Sequence, residues 1–240
     1  MRGRAVDDHA WRAATRDLAI LRRLTPAERD LLRELGDRFL AGKRFEAARG
    51  AELDAELLAR VAAQACLPVL ALGLDWYADW STVVIVPDHF TADFEEVDEA
   101  GVVHEWTEDA AGEFWDEGGP IVLSVADIDA SGTGEGFNVV IHEVAHKLDA
   151  LDGSLNGRPP LHPGMEPGAW ADAFTDAFTA LCEAPDDFAL DPYAAEAPEE
   201  FFAVASEYFF EVPDILADEH PAVYAQLAAF YRQDPAELCA

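Results

Sequence analysis

One short pattern in the chain combines residue types that could hold a metal ion and activate water. His142 and His146 lie four residues apart, and Glu143 directly follows the first of them. On a helix, side chains four residues apart lie on one face, one turn from each other, so both imidazoles could bind one zinc ion. Glu143 would then take a proton from a water molecule that the metal activates. This HExxH pattern predicts a zinc hydrolase, most often a peptidase.

The pattern fixes only three residues, and two histidines at this spacing can also be ordinary surface side chains. Its surroundings favour a metal site, because the polar triplet is embedded in apolar residues. These are Val139, Val140, Ile141, Val144, Ala145 and Leu148. A helix so apolar is expected to be mostly buried, and buried polar groups need partners. A zinc ion would supply one.

A catalytic zinc site needs a third protein ligand and one open position. No third histidine follows His146 at the spacing HExxHxxGxxH. Glu200 and Glu207 are the best candidates, since they lie two turns apart on one face of a predicted helix with many aromatic neighbours. An acid on a buried face needs a cation or a donor, whereas a solvated acid would need neither.

Two further residues could assist the chemistry. Asp149 follows His142 by seven residues, so it is either a hydrogen-bond acceptor that fixes the tautomer of a ligand histidine or a helix-surface acid. Tyr193 precedes Glu200 by seven residues. Its phenol could stabilise the oxyanion of a tetrahedral intermediate, or it could be a half-buried structural tyrosine.

The helices and strands that must position these residues are predicted from hydrophobic periodicity and from the residues that start and stop helices and strands. Helices are predicted over residues 8–24, 25–41, 52–65, 170–181, 198–210 and 222–231, and strands over 82–86, 102–105 and 121–125. The HExxH helix is predicted to follow Gly132, Gly134 and Gly136 and to end near Leu151. The pattern predicts a single α+β domain over residues 1–240, mostly helical, with a small mixed β-sheet and the HExxH helix. Residues 1–65 form its helical N-terminal part and residues 66–240 its catalytic core.

The charge of the chain is strongly negative and unevenly distributed. The net charge is -32, and residues 1–60 hold 13 of the 16 lysines and arginines but only 11 of the 48 acids. Such a surface repels phosphate backbones, so no direct nucleic-acid partner is expected. The charge favours solubility in a salty cytoplasm over a dedicated site for basic partners.

The cysteines and the apolar segments bear on the compartment. Cys66, Cys182 and Cys239 have no metal-like spacing and suggest free thiols in a reducing environment. The most apolar stretch, residues 65–74, contains Pro68 and Gly73 and is too short to span a bilayer. The N-terminus has no signal-peptide pattern. We therefore expect a cytoplasmic protein without a membrane partner.

Several blocks of the sequence together resemble a known family, the Mlc titration factor A family of bacterial zinc-dependent peptidases. The blocks are AQACLPVL (63–70), GPIVLS (119–124), NVVIHEVAHKLD (138–149), NGRPPL (156–161), YAA (193–195), PEEFFAV (198–204) and SEYFF (206–210). They occur in one order over nearly the whole chain. The main departures are Val144, where the family usually has Phe, and the acidic surface.

The resemblance implies a gluzincin-like metallopeptidase, similar in its catalytic core to anthrax lethal factor, with an aminopeptidase among the options. It implies zinc bound by His142, His146 and Glu200, with Glu143 as the general base and Tyr193 as the catalytic tyrosine. Glu207 then becomes a supporting acid beside the site. The family is also associated with sequestering the transcriptional repressor Mlc, so the alternative function is a regulatory binding protein. The acidic surface puts in doubt any partner carried over from other members.

Overall fold

The computed structural model describes residues 6–87, 119–185 and 188–236, together with the backbone of two strands between the first two ranges. The helices are α1 Asp8–Thr15, α2 Pro26–Gly42, α3 Ala55–Cys66, α4 Val125–Ala130, α5 Val139–Asp149, α6 Pro167–Glu183, α7 Pro198–Glu211, α8 Pro213–Glu219 and α9 Pro221–Tyr231. The strands are β1 Arg44–Ala47, β2 Thr82–Val86, β3 Phe94–Val97, β4 Val103–Trp106 and β5 Ile121–Ser124. The predicted α+β class, mostly helical, is confirmed.

Side-chain caps start the first two helices within one residue of the predicted positions, whereas α3, capped by Asp54, begins three residues later than predicted. The Thr25 hydroxyl accepts a hydrogen bond from the Glu28 amide, and the Glu28 carboxylate accepts one from the Thr25 amide, which completes a capping box. The first helix, predicted over residues 8–24, is wrong in length because α1 ends at Thr15. The chain then turns so that Leu18 is buried and the Ala19 amide donates to the Gly132 carbonyl at 2.7 Å. This tertiary contact breaks the helix.

The sheet that supports the site has three parallel strands in the order β1-β2-β5. Val83 and Ile85 of β2 and Ile121 and Leu123 of β5 are buried, as expected for a sheet covered on its faces. The antiparallel pair β3-β4 is separate, so parallel and antiparallel pairing occur in two different sheets. β1 was not predicted, because four residues with two charges carry little strand signal without their partner β2.

Proline and serine mark element boundaries in the second half of the chain. Ser124 ends β5 and caps α4 by accepting a hydrogen bond from the Asp127 amide, so Val125 is helical rather than part of the predicted strand. The helix predicted to stop before Pro213 does so, and Pro213 begins α8, which was not predicted.

The core is one cluster of buried apolar side chains that runs from Val6 to Tyr231. Around α6, α7 and α9 it is rich in aromatic contacts, such as the stacked rings of Trp170 and Phe174 with centroids 4.3 Å apart. α5 packs against both α7 and β5, so the HExxH helix lies between the acid-bearing helix and the sheet. No helix of the described residues combines the length and apolar character needed to cross a bilayer.

Candidate metal centre

The HExxH residues lie on α5, whose start is fixed by side chains that precede it. Asn138 is the N-cap, and its Oδ1 accepts a hydrogen bond from the Ile141 amide at 3.0 Å. The Ser131 hydroxyl accepts another from the Val139 amide at 3.0 Å. Val140, Ile141 and the residues after Glu143 are buried, so the helix has little solvent contact, as its apolar sequence predicts.

The two imidazoles of the motif face each other across one helical turn. Their Nε2 atoms are 3.1 Å apart, and both side chains are largely buried. The spacing of four residues therefore brings both ring nitrogens to one point on the face of α5.

Glu200, in the first turn of α7, contributes the third atom at this point. Its Oε2 lies 3.1 Å from Nε2 of His142 and 3.4 Å from Nε2 of His146. Two bonds of about 2.0–2.1 Å at a tetrahedral angle place ligand atoms about 3.3 Å apart, so this triangle has the dimensions of one face of a zinc tetrahedron. Glu200 Oε2 is buried and accepts no hydrogen bond from the described residues, despite these short distances. The three side chains thus fit a divalent metal ion.

Glu207 lies two turns further along α7 and contacts the Nδ1 side of the His142 ring, away from the triangle. Its Oε1 is 2.8 Å from Nδ1 of His142, and its Oε2 accepts a hydrogen bond from the Asn138 amide. A carboxylate on Nδ1 keeps the proton there, which leaves Nε2 free to bind a metal and makes it more basic. Of the two acids that the residue pattern left open, Glu200 therefore lies at the triangle and Glu207 lies behind it.

The three side chains of the triangle change each other's pKa values. Burial disfavours the imidazolium of His142, but the carboxylates of Glu200 and Glu207 outweigh burial and raise its pKa to about 10. The pKa of His146 is lowered, mainly by burial. Burial also opposes ionisation of Glu200, yet the two imidazoles hold its pKa well below the ordinary value. A proton and a metal ion would therefore compete for the same nitrogen.

Glu143 lines a cleft of about 340 Å³ beside the triangle. The cleft is also lined by Glu135, Gly136, Phe137, Val139, His142, Asp191, Tyr193, Val204, Glu207 and Tyr208. Burial raises the pKa of Glu143 to about 7, the value suited to a group that takes and returns a proton near neutral pH. Its Oε2 is buried and has no hydrogen-bond partner among the described residues.

Tyr193 lies on the same cleft, on a single 3₁₀ turn, Pro192–Ala195. The Asp191 side chain caps this turn by accepting a hydrogen bond from the Tyr193 amide at 2.9 Å. The Tyr193 ring is 46% exposed and its centroid is 6.1 Å from that of His142. Burial and the Glu200 carboxylate raise the pKa of the phenol above its ordinary value, so it remains a hydrogen-bond donor at neutral pH.

Asp149, the last residue of α5, binds the loop that follows the helix. Its Oδ2 accepts hydrogen bonds from the amides of Asn156 and Gly157, at 2.9 and 2.7 Å. Its Oδ1 accepts none from the described residues. Asp149 therefore fixes the loop after α5, because the helix ends at this residue. The alternative of a helix-surface acid is wrong, since Asp149 is fully buried, and the role toward a ligand histidine stays a prediction.

Two residues that sequence reasoning missed join this site, Asn138 and Glu211. Glu211 is buried at the end of α7 and accepts a hydrogen bond from the Asn138 side chain at 2.8 Å. A signal was present in the sequence: Glu200, Glu207 and Glu211 are spaced by seven and four residues and so lie on one helical stripe.

Comparison with known proteins identifies the family of the chain. The glucose-regulated metallo-peptidase M90 family matches residues 1–232. The protein named Mlc titration factor A from Salmonella arizonae is 39% identical over 225 residues, which cover 92% of this chain and 89% of the relative. The proteins of that name from Escherichia fergusonii and Klebsiella pneumoniae are each 40% identical, covering 91% of this chain and 84% of the relative. The predicted resemblance to the Mlc titration factor A family is confirmed, whereas the likeness to lethal factor stays a prediction. The chain belongs to the glucose-regulated metallo-peptidase family M90.

Proposed function

We propose that this protein is a zinc-dependent peptidase that holds its metal with His142, His146 and Glu200. The observation that carries the proposal is the triangle of two Nε2 atoms and one carboxylate oxygen, with edges of 3.1 to 3.4 Å. Two histidines and one glutamate form the ligand set of a large class of catalytic zinc sites, which keep the fourth position open. Membership of a metallo-peptidase family supports the same chemistry.

The side chains around the triangle have separate tasks in this mechanism. A zinc ion held by these residues would act as a Lewis acid, which would lower the pKa of a bound water to about 7 and polarise the substrate carbonyl. Glu143 takes the proton of the attacking water and later delivers it to the leaving amine. Its raised pKa makes both transfers accessible near neutral pH. Tyr193, which lines the same cleft, donates a hydrogen bond to the developing oxyanion.

The substrate in this proposal is a peptide in extended conformation. In the described part of the chain β5 is paired on one side only, with β2, and α5 packs against it. A peptide that adds to the free edge of β5 would receive backbone hydrogen bonds and lie close to the motif helix. The free thiols of Cys66 and Cys182 suit a reducing compartment and support a cytoplasmic location.

Cleavage itself tests the proposal. Zinc-loaded wild-type protein and the Glu143→Gln variant are incubated with a diverse peptide mixture, and cut sites are mapped by mass spectrometry. We expect cuts with the wild type and none with the variant, at equal zinc content. A Glu183→Gln variant, altered at an exposed acid at the end of α6, should cut like the wild type. Cleavage of the same bonds by Glu143→Gln would remove Glu143 as the base.

The third ligand needs its own measurement, because two acids flank His142. Zinc content after dialysis should drop sharply in Glu200→Ala, since the triangle loses a corner. It should drop much less in Glu207→Ala, which loses only the support of His142. The reverse order would assign the metal to Glu207.

A second function, regulatory binding, is favoured by the name of the relatives, Mlc titration factor A. In this alternative the protein sequesters a transcriptional repressor and peptidase activity is secondary or absent. Binding alone requires neither Glu143 nor Tyr193. Capture of a purified repressor of this class by Glu143→Gln as well as by the wild type would support binding independent of hydrolysis, and absence of capture by both would exclude it.

A further inference from the structure

A second buried carboxylate lies one turn beyond Glu207 on α7. Glu211 is the last residue of the helix and is only 3% exposed. A negative charge at the C-terminal end of a helix is unfavourable because it meets the negative end of the helix dipole, and burial adds a desolvation cost. Helix stability therefore does not explain this residue, and its contacts must.

Glu211 binds the segment that leads into the HExxH helix. Its Oε1 accepts hydrogen bonds from the Gly132 amide and from Nδ2 of Asn138, both at 2.8 Å, and its Oε2 accepts one from the Gly134 amide at 2.6 Å. Gly132 and Gly134 have φ values of +84° and +87°, which only glycine adopts readily, and both present their amides to one carboxylate. Glu211 thus fixes the backbone immediately before α5.

Asn138 joins this segment to the metal centre through three groups. Its Nδ2 donates to Glu211 and also to Oε1 of Gln64 on α3, at 2.8 Å. Its Oδ1 caps α5, and its backbone amide donates to Glu207 Oε2. The other oxygen of Glu207 is 2.8 Å from Nδ1 of His142. An unbroken series of hydrogen bonds, buried as far as Glu207, therefore runs from Glu211 through Asn138 and Glu207 to a corner of the triangle.

We infer that Asn138 and Glu211 are positioning residues of the metal centre, which set the direction of the His142 Nε2 atom through Glu207. The inference rests on the proposed metal site. Glu207 alone could rotate about its own side-chain bonds, and the Asn138 amide fixes its second oxygen. That amide is in turn fixed because the Asn138 side chain is bound to Glu211 and Gln64. Outer partners of this kind govern metal affinity by about 10- to 100-fold.

Two variants interrupt the series without removing a helix cap. Asn138→Ser keeps a good N-cap residue but is too short to reach Glu211 and Gln64. Glu211→Gln keeps the volume, but its NH₂ group must face an N–H donor, since both oxygens accept in the wild type. Ser131→Ala is the matched control. It removes the hydroxyl that accepts a hydrogen bond from the Val139 amide at the same helix start, and it leaves the series from Glu211 to His142 intact.

The readout is the zinc dissociation constant of the metal-free full-length protein, measured by competition with a chromogenic chelator. We expect Asn138→Ser and Glu211→Gln each to weaken zinc binding about 10-fold or more. Ser131→Ala should lower the melting temperature but leave the zinc affinity unchanged. In a Glu207→Gln background, Asn138→Ser should weaken zinc binding no further, because the series is already cut.

These outcomes separate positioning from general support of the fold. Wild-type zinc affinity in a folded Asn138→Ser or Glu211→Gln variant would overturn the inference. So would full additivity of Asn138→Ser and Glu207→Gln, since independent losses mean that Asn138 does not act through Glu207. Failure of the proposed function is distinct, because then the wild type itself would bind no zinc more tightly than His142→Ala does.

Discussion

Gly157 offers a test of how closely the loop after α5 controls the metal centre. Its amide donates to Asp149 and its carbonyl accepts from the Trp170 indole at 3.2 Å, so it joins the end of α5 to α6. It also lies against the start of α7. A Cβ atom at this position would be 2.4 Å from the carbonyl oxygen of Pro198, two residues before Glu200.

The magnitude of a Gly157→Ala substitution follows from this contact. Real Cβ atoms do not approach closer than 3.0 Å, so the loop or the first turn of α7 must move by at least 0.6 Å. The φ value of +75° is unfavourable for alanine by about 1–2 kcal/mol, and the clash with backbone adds about 1–3 kcal/mol. We expect the free energy of unfolding to fall by about 2–5 kcal/mol in total.

Gly153 provides the matched control within the same loop. Its φ value is +87°, but a Cβ atom there would meet nothing within 4 Å. Gly153→Ala should therefore lose only the conformational part, about 1–2 kcal/mol. Because Pro198 and Glu200 share one helical turn, Gly157→Ala should also weaken zinc binding about 10-fold or more, whereas Gly153→Ala should not.

Urea unfolding of the metal-free variants gives the stability difference, and chelator competition gives the zinc affinity. The reasoning is refuted if Gly157→Ala and Gly153→Ala lose equal stability, because the close approach to Pro198 would then have no energetic consequence. It is also refuted if Gly157→Ala is destabilised but binds zinc like the wild type, because the start of α7 would then tolerate the displacement.

Three further predictions concern single side chains. Tyr193→Phe loses the hydrogen bond to the oxyanion and should lower kcat about 100-fold at unchanged zinc content. Steady-state kinetics and metal analysis measure the two quantities, and an unchanged kcat would make Tyr193 a structural residue. Glu143 must be ionised to accept a proton and burial raises its pKa to about 7, so kcat/KM should fall as the pH drops below about 7. The pH profile of kcat/KM checks this, and an acid limb near pH 7 that persists in the residual activity of Glu143→Gln would contradict it. Burial lowers the pKa of Lys43 to about 8, against 10.5 in the unfolded chain, so between these pH values the unfolded state binds more protons than the folded state. Relative to Lys43→Met, the free energy of unfolding of the wild type, measured in urea, should therefore rise by up to about 3 kcal/mol from pH 8 to 10.5. A parallel pH dependence of the two proteins would contradict this.

Local patterns predicted much of the fold because the interactions that define them are short in range. The capping box at Thr25, the apolar stripe of α5 and the Pro198 start of α7 were all visible in the sequence. The end of α1 and the strand β1 were not, because a contact with Gly132 decides the first and pairing with β2 decides the second. Neither partner is close in sequence.

The candidate site divides in the same way. The sequence by itself determined that His142, Glu143 and His146 share a helix and that Glu200 and Glu207 share another, since helical spacing alone sets which side chains are neighbours. Helical spacing left open which of the two acids completes the triangle, and only the family resemblance pointed to Glu200. The tertiary structure supplies the physical reason, because α7 packs on α5 with Glu200 beside the Nε2 atom of His142 and Glu207 beside its Nδ1 atom. The same packing places Glu211 under Asn138, which no local pattern could establish.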